Sequence, residues 1–433
     1  MTRLGRIVAV TALTAALAPS PPAHAAVTPP PIDDTRLPPA GPARAPHPTE
    51  QREDCVATRP PTGRGRILDD LPSVWALTRG AGQTVAVIDT GVARHRRLPH
   101  LVGGGDFVGS TDGTADCDGH GTLVAGIIAA AAEPTHPRGF GGIAPEVSLV
   151  SIRQSSNKFG YTDDAGSGVG DVETLAAAVR LAADLGATVI NISSVACLAA
   201  DGALDDRALG AALAYAVDVT DTVVVSAAGN VGAAGQCPGQ NTTDAVTVVA
   251  SPAWYDDYVL TVGSVAADGS ASEFSLAGPW VDVAAPGENI VSLAPAADGL
   301  VDSTPSGIAL SGTSYAAPLV AGIAALVRAR HPELTARQVM TRIEDTARHP
   351  AGGWNAAVGH GVVDVLTAIG EPAPASPLRT ATSLSDIPSG AHPPAPATSG
   401  RGVLLCAGLV GGVAALCAAL RRSRPRGDDV PGT

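Results

Sequence analysis

Residues 84–89 read Thr84-Val85-Ala86-Val87-Ile88-Asp89, an apolar run that ends on a carboxylate and is followed at once by Thr90-Gly91. The run has no polar alternation, which predicts a strand buried on both faces. A carboxylate at its end faces the rim of the sheet and not the core. Comparable runs lie at 147–152, 188–192, 222–227, 246–250 and 260–265, and helical spacing marks 172–185 and 207–219. Strand–helix–strand repetition of this kind predicts an α/β fold with a mainly parallel sheet and right-handed crossovers. Ligands in such folds sit beyond the C-terminal strand ends, so chemistry is sought there.

Three further motifs end or open predicted elements. His120 sits in Asp116-Cys117-Asp118-Gly119-His120-Gly121-Thr122 and opens an apolar helical run over 123–132. Ser314 sits in Ser311-Gly312-Thr313-Ser314-Tyr315-Ala316-Ala317-Pro318, before a helical run over 320–328. Pro318 fits a first helical turn, where few backbone donors are needed. Asn230 closes Ser226-Ala227-Ala228-Gly229-Asn230 at the end of another buried run.

Each residue type suits one task of acyl transfer. A serine hydroxyl is a poor nucleophile until a base takes its proton. Imidazole can take it near neutral pH, and a buried carboxylate fixes the tautomer and stabilises the imidazolium. A helix N-terminus at Ser314 offers N–H groups, and the Asn230 amide is a candidate second donor for the developing oxyanion. Alone, each motif reads equally as a turn, a helix cap or a strand end. Asp-Thr-Gly also occurs in aspartic proteases, but those need two copies and Asp89 is the only aspartate followed by Thr-Gly. All four motifs in this order, each at an element end, predict a triad of Asp89, His120 and Ser314 with Asn230 as the oxyanion donor.

Around this block the chain is organised by its ends. Charged residues make up 16% of the 433 and the formal net charge is −13, which supports a sizeable core and gives no basis for nucleic-acid binding. Arg3 and Arg6, the apolar run 7–18 and Ala23-His24-Ala25 form the three parts of a secretory signal, with cleavage expected near Ala25. The alternative is an uncleaved N-terminal anchor. Residues 402–420 carry no charge and are followed by Arg421, Arg422, Arg424 and Arg426. They predict one transmembrane helix over 401–420, with the tail 421–433 cytoplasmic and everything before the helix outside. A buried core helix is the alternative there. Two proline-rich stretches flank the folded block of 64–370: an extension over 26–63 and a linker over 371–400. Both are read as extended and mostly irregular, and the linker can reach on the order of 90 Å. Cys55, Cys117, Cys197 and Cys237 lie in the part expected outside, where disulfides persist, and four cysteines allow three pairings. No pair has CxxC spacing, and neither a metal nor a cofactor is expected.

The order Asp, His, Ser and the four motifs resemble the subtilisin-like serine proteases, or subtilases, over about 64–370. The resemblance implies a three-layer fold, with a roughly seven-stranded parallel sheet flanked by helices, and peptide hydrolysis through an acyl-enzyme. Within the subtilases the chain is most similar to the mycosins, the membrane-anchored members that belong to type VII secretion systems. Cys117 beside His120, the stretch Val189-Ile190-Asn191-Ile192-Ser193-Ser194-Val195-Ala196-Cys197, the segment Glu50-Gln51-Arg52-Glu53-Asp54-Cys55, and the tethered C-terminus carry that likeness. It implies disulfides Cys55–Cys117 and Cys197–Cys237 and association with a secretion complex in the membrane. It also implies that peptide binds as an added strand, with Ser193, Ser194 and Val195 forming one wall of the pocket for the residue before the cut and Ala227, Ala228 and Gly229 the other. At 38 residues and ten prolines the extension is a poor candidate for an independently folded inhibitor, and is expected to wrap the catalytic domain. Two functions are compatible with this reading: an endopeptidase acting on exported proteins outside the cytoplasmic membrane, and a structural component of the secretion complex.

Overall fold

The computed structural model describes residues 27–371, apart from 58–67, 69, 134–138, 165, 167, 203, 233–235 and 243–244. The expected signal, linker, membrane helix and basic tail fall outside the described residues, among which no helix is long and apolar enough to cross a membrane. Seven strands form one sheet: β1 (Thr84–Asp89), β2 (Leu101–Asp106), β3 (Ser148–Arg153), β4 (Val189–Ile192), β5 (Val223–Ala227), β6 (Leu260–Val265) and β7 (Val283–Pro286). Their order is β7-β6-β5-β4-β1-β3-β2, and every neighbouring pair is parallel. The central strands are buried along nearly their whole length, which is why they read as continuous apolar runs.

Helices flank the sheet. Two matter most for the site: α1 (His120–Ala129) and α4 (Thr313–Arg330), which pack together against the central strands. Between them in the chain come α2 (Val172–Asp184) and α3 (Arg207–Ala214), which also pair with each other. Asp171 caps α2 by accepting from Thr174 N at 2.7 Å, completing a reciprocal capping box.

Several expectations change in detail. Helix α4 begins at Thr313, so Pro318 lies in its second turn and not its first. The helix tolerates it because it is held by burial against the sheet from Thr313 to Val327. The helix expected over 207–219 is α-helical only to Ala214, and Tyr215–Val219 is wound as a π-turn. The run 246–250 yields a strand at Val248–Ser251 that lies outside the main sheet, paired antiparallel with Ala196–Ala199.

The extension is less irregular than its prolines suggest. Asp33 caps a short 3₁₀ turn at Asp34–Arg36, and Val27, Ile32, Leu37 and Ala43 pack on the core. Thr49–Gln51 pairs antiparallel with Phe159–Tyr161, and Val56 N donates to Cys117 O at 2.9 Å. Cys55 is bonded to Cys117 and Cys197 to Cys237, as the resemblance implies. The described part of the extension thus straps the catalytic unit and is bonded through Cys55 to Cys117, three residues before His120.

Candidate active site

Asp89 is the last residue of β1 and is almost fully buried, while His120 is the first residue of α1. His120 Nδ1 lies 2.8 Å from Asp89 Oδ1. A carboxylate can only accept, so Nδ1 carries the hydrogen and the Nε2 lone pair is left to act as base. Asp89 Oδ1 also accepts from Thr90 N at 2.7 Å, while Oδ2 is buried with no hydrogen-bond partner among the described residues.

Two pieces of backbone must be held in register for that contact, and Asp116 holds them. Its Oδ1 accepts from Thr90 Oγ1 at 2.8 Å and Gly119 N at 2.7 Å. Its Oδ2 accepts from Thr122 N at 2.8 Å and Thr122 Oγ1 at 2.6 Å. One carboxylate therefore joins the turn after Asp89 to the start of the His120 helix. Gly121 N adds a bond to Thr90 Oγ1 at 3.0 Å, and a Cβ on Gly121 would stand 1.9 Å from the Gly91 carbonyl oxygen, so only glycine allows this approach. Burial pushes the Asp116 carboxyl up to about 6 against the pull of these donors. Burial of the His120 ring opposes its protonation, but the fields of Asp89, Asp116 and Asp118 outweigh it and raise its pKa above the ordinary imidazole value. Sequence reading passed over Asp116; its signal was a carboxylate four residues before the histidine, within glycine and threonine partners.

Ser314 occupies the first turn of α4, and the ring of its neighbour Tyr315 packs against His120 with centroids 5.4 Å apart. A Cβ built on Gly312 would lie 3.1 Å from Ser314 Oγ and 3.7 Å from Asn230 Nδ2, so hydroxyl and amide border the same space. Asn230 Oδ1 accepts from Thr313 N at 2.9 Å and Thr313 Oγ1 at 3.1 Å, which fixes the orientation of the amide beside the start of α4. Beyond the paired ends of β4 and β5, in register at Ile192 and Ser226, run the segments Ser193–Val195 and Ala227–Gly229. Ser193, Ala227 and Ala228 are buried, and Ser193 Oγ accepts from Asn191 Nδ2 at 2.9 Å. Among the described residues no group of three or more His, Cys, Asp or Glu side chains is placed to hold a metal ion.

A parallel sheet with an Asp–His pair, a serine at a helix start and an asparagine amide at its C-terminal rim is an arrangement that suits a serine peptidase. The profile of the subtilase family matches residues 80–361, and the chain is 55% identical to mycosin-4 of Mycobacterium tuberculosis over 99% of its own length and 98% of the relative's. The chain belongs to the subtilase family, among its mycosin members, and is a subtilisin-like serine endopeptidase. Its fold superposes on the MycP3 protease of the type VII (ESX-3) secretion system with a TM-score of 0.72 and 46% identity, covering 79% of this chain and 99% of that one. A chain from the structure of an intact ESX-5 inner membrane complex superposes with a TM-score of 0.74 and 41% identity, covering 92% of this chain and 99% of that one.

Proposed function

We propose that the protein hydrolyses peptide bonds with Asp89, His120 and Ser314 as its triad and Asn230 as oxyanion donor. The observation that carries the reading is the 2.8 Å bond between His120 Nδ1 and buried Asp89. It leaves Nε2 to act as the base for Ser314, whose neighbour Tyr315 packs against the His120 ring. Ser314 Oγ attacks the substrate carbonyl as His120 takes its proton. Negative charge then develops on the carbonyl oxygen, which the Asn230 NH₂ and the Ser314 N–H stabilise. The C–N bond breaks as His120 returns the proton to the amine, and water repeats the cycle on the acyl-enzyme. Ser193, Ser194, Val195, Ala227, Ala228 and Gly229 line the pocket for the residue before the cut, and its small neutral walls suit an uncharged side chain.

The protein acts outside the cytoplasmic membrane, held there by one helix over 401–420, on proteins exported by a type VII secretion system whose membrane complex it joins. The likeness to a chain of the ESX-5 inner membrane complex supports this placement, as does the basic stop after residue 420. That same likeness favours a second role, in which the folded unit stabilises the complex whatever its activity. A serine-directed phosphonate probe tests the first reading: the wild-type protein should be labelled and Ser314→Ala should not. Comparing export in a Ser314→Ala strain and in a deletion strain separates the two roles. Equal loss assigns export to proteolysis, and loss only on deletion assigns it to the folded unit.

A further inference from the structure

The Cys197–Cys237 disulfide lies at the opposite side of the site from the strap. Cys197 follows two residues after Val195, on the short strand Ala196–Ala199 that leaves one pocket wall. Cys237 is buried, and its backbone N–H donates to the Asn230 carbonyl at 2.9 Å. Gly229 lies against both sulfurs. Its φ is +105°, and a Cβ there would lie 2.9 Å from Cys237 Sγ and 3.3 Å from Cys197 Sγ. Both sulfurs therefore rest on the backbone of the second wall, at the residue before the oxyanion amide.

The Gly229–Asn230 peptide is held from its other sides as well. Gly229 N donates to Thr313 Oγ1 at 3.2 Å, Leu276 N donates to Gly229 O at 3.0 Å, and Asn230 Oδ1 takes the Thr313 bonds. The disulfide completes the frame: it joins Cys237, whose N–H holds the Asn230 carbonyl, to Cys197, two residues after the wall Ser193–Val195. We propose that Cys197 and Cys237 are positioning residues for catalysis. Their bond fixes the Asn230 amide relative to Ser314 and fixes the spacing of the two pocket walls. The proposal rests on the assignment of Asn230 as oxyanion donor.

A bond that only tied two loops together would affect the melting temperature and leave turnover of the folded enzyme unchanged. A brace of the oxyanion amide affects kcat, because a displacement of about 1 Å at a reacting group can cost about 100-fold. The full-length protein is compared with Cys197→Ala/Cys237→Ala, Asn230→Ala and the triple variant, on peptides varied at the residue before the cut and at a temperature where all are folded. The double variant should lose ten- to 100-fold in kcat with KM changed less than threefold on the best peptide. Its preference at the varied position should flatten. In the Asn230→Ala background the same pair should cost less than threefold, since the brace acts through that amide. A double variant with wild-type kcat and preference, or a loss undiminished in the triple variant, overturns the brace while Asn230→Ala still shows its own large loss. Wild-type turnover by Asn230→Ala overturns the assignment beneath it. Should the double variant not fold, phosphine reduction of the Cys55→Ser/Cys117→Ser protein, compared with that same protein unreduced, gives the same reading. A fall in kcat recovered on reoxidation supports the brace, and unchanged kcat with Cys197–Cys237 open refutes it.

Discussion

Replacing Asp89 by asparagine isolates the charge of the triad from its geometry. In the structure both Thr90 N and His120 Nδ1 converge on the same oxygen, Oδ1, at 2.7 and 2.8 Å. An asparagine carbonyl can take that place and accept both bonds, so the imidazole keeps its hydrogen on Nδ1. The NH₂ then falls where Oδ2 now lies buried, with no hydrogen-bond partner among the described residues. What is lost is the ion facing the imidazolium that forms at each proton transfer. With about 4 Å between charge centres and an effective dielectric near 20, that attraction is worth about 4 kcal/mol. A loss of that size lowers kcat by about 10³-fold. The pH profile should move as well. His120 must be neutral to act as base, so the acidic limb of kcat/KM follows its pKa, which Asp89 helps to raise. Without the carboxylate the limb moves to lower pH while the plateau falls. The assay is steady-state hydrolysis of a peptide amide from pH 4.5 to 9 by folded wild-type and Asp89→Asn protein. A plateau within tenfold of wild type, or an acidic limb that stays in place, would refute the role given to Asp89.

The remaining expectations concern other parts of the site and fold. Asn230→Ala should lower kcat by about 10²–10³-fold with little change in KM, as loss of one preorganised oxyanion donor does; burst kinetics on an ester substrate would read it. Opening the strap with Cys55→Ser/Cys117→Ser removes a cross-link spanning 62 residues; loop entropy alone puts the cost at about 4 kcal/mol, visible as a lower midpoint in guanidinium unfolding. Burial, with Asp256 and Asp345 nearby, pushes Glu344 up to about 6 from an ordinary 4.5. A raised carboxyl favours the fold when protonated, so its contribution is intact below the unfolded value and lost as pH rises through about 6. Glu344→Gln should therefore melt higher than wild type at pH 7.5, with the gap closing by pH 4, as differential scanning calorimetry would show.

What could be read in the sequence was whatever burial imposes on residue type. Strands β1, β4 and β5 are dry on both faces and so are spelled mainly in Val, Ile and Ala. Asp89, the partner of His120, stood out for the same reason, since it marks the point where such a strand stops. Strand β2 escaped because Leu101–Asp106 carries three glycines at the sheet edge, where the Ala43 methyl and the Asp112 backbone press on it. Strand β7 is four residues long and ends in proline. Its identity comes from pairing with β6, not from its composition. The strap misled for another reason: proline content reports the absence of internal structure and is blind to a strand borrowed from residues 159–161. Asp116 stood inside a motif already singled out, yet its four donors come from Thr90, Gly119 and Thr122, and only the fold brings Thr90 to it.

The two disulfides join cysteines that are neighbours in the order of synthesis: Cys55 to Cys117, then Cys197 to Cys237. A chain that reaches an oxidising compartment N-terminus first presents each cysteine with its native partner as the next one to emerge. Vectorial oxidation then closes the right bonds by sequence alone. The other two pairings of these four cysteines would each require Cys55 to wait while Cys117 passed unbonded. The strap's strand partner at Phe159–Tyr161 emerges later still, so the covalent staple can precede the sheet contact it secures. Under export in that direction, pairing each cysteine with the next to emerge yields both bonds without reshuffling.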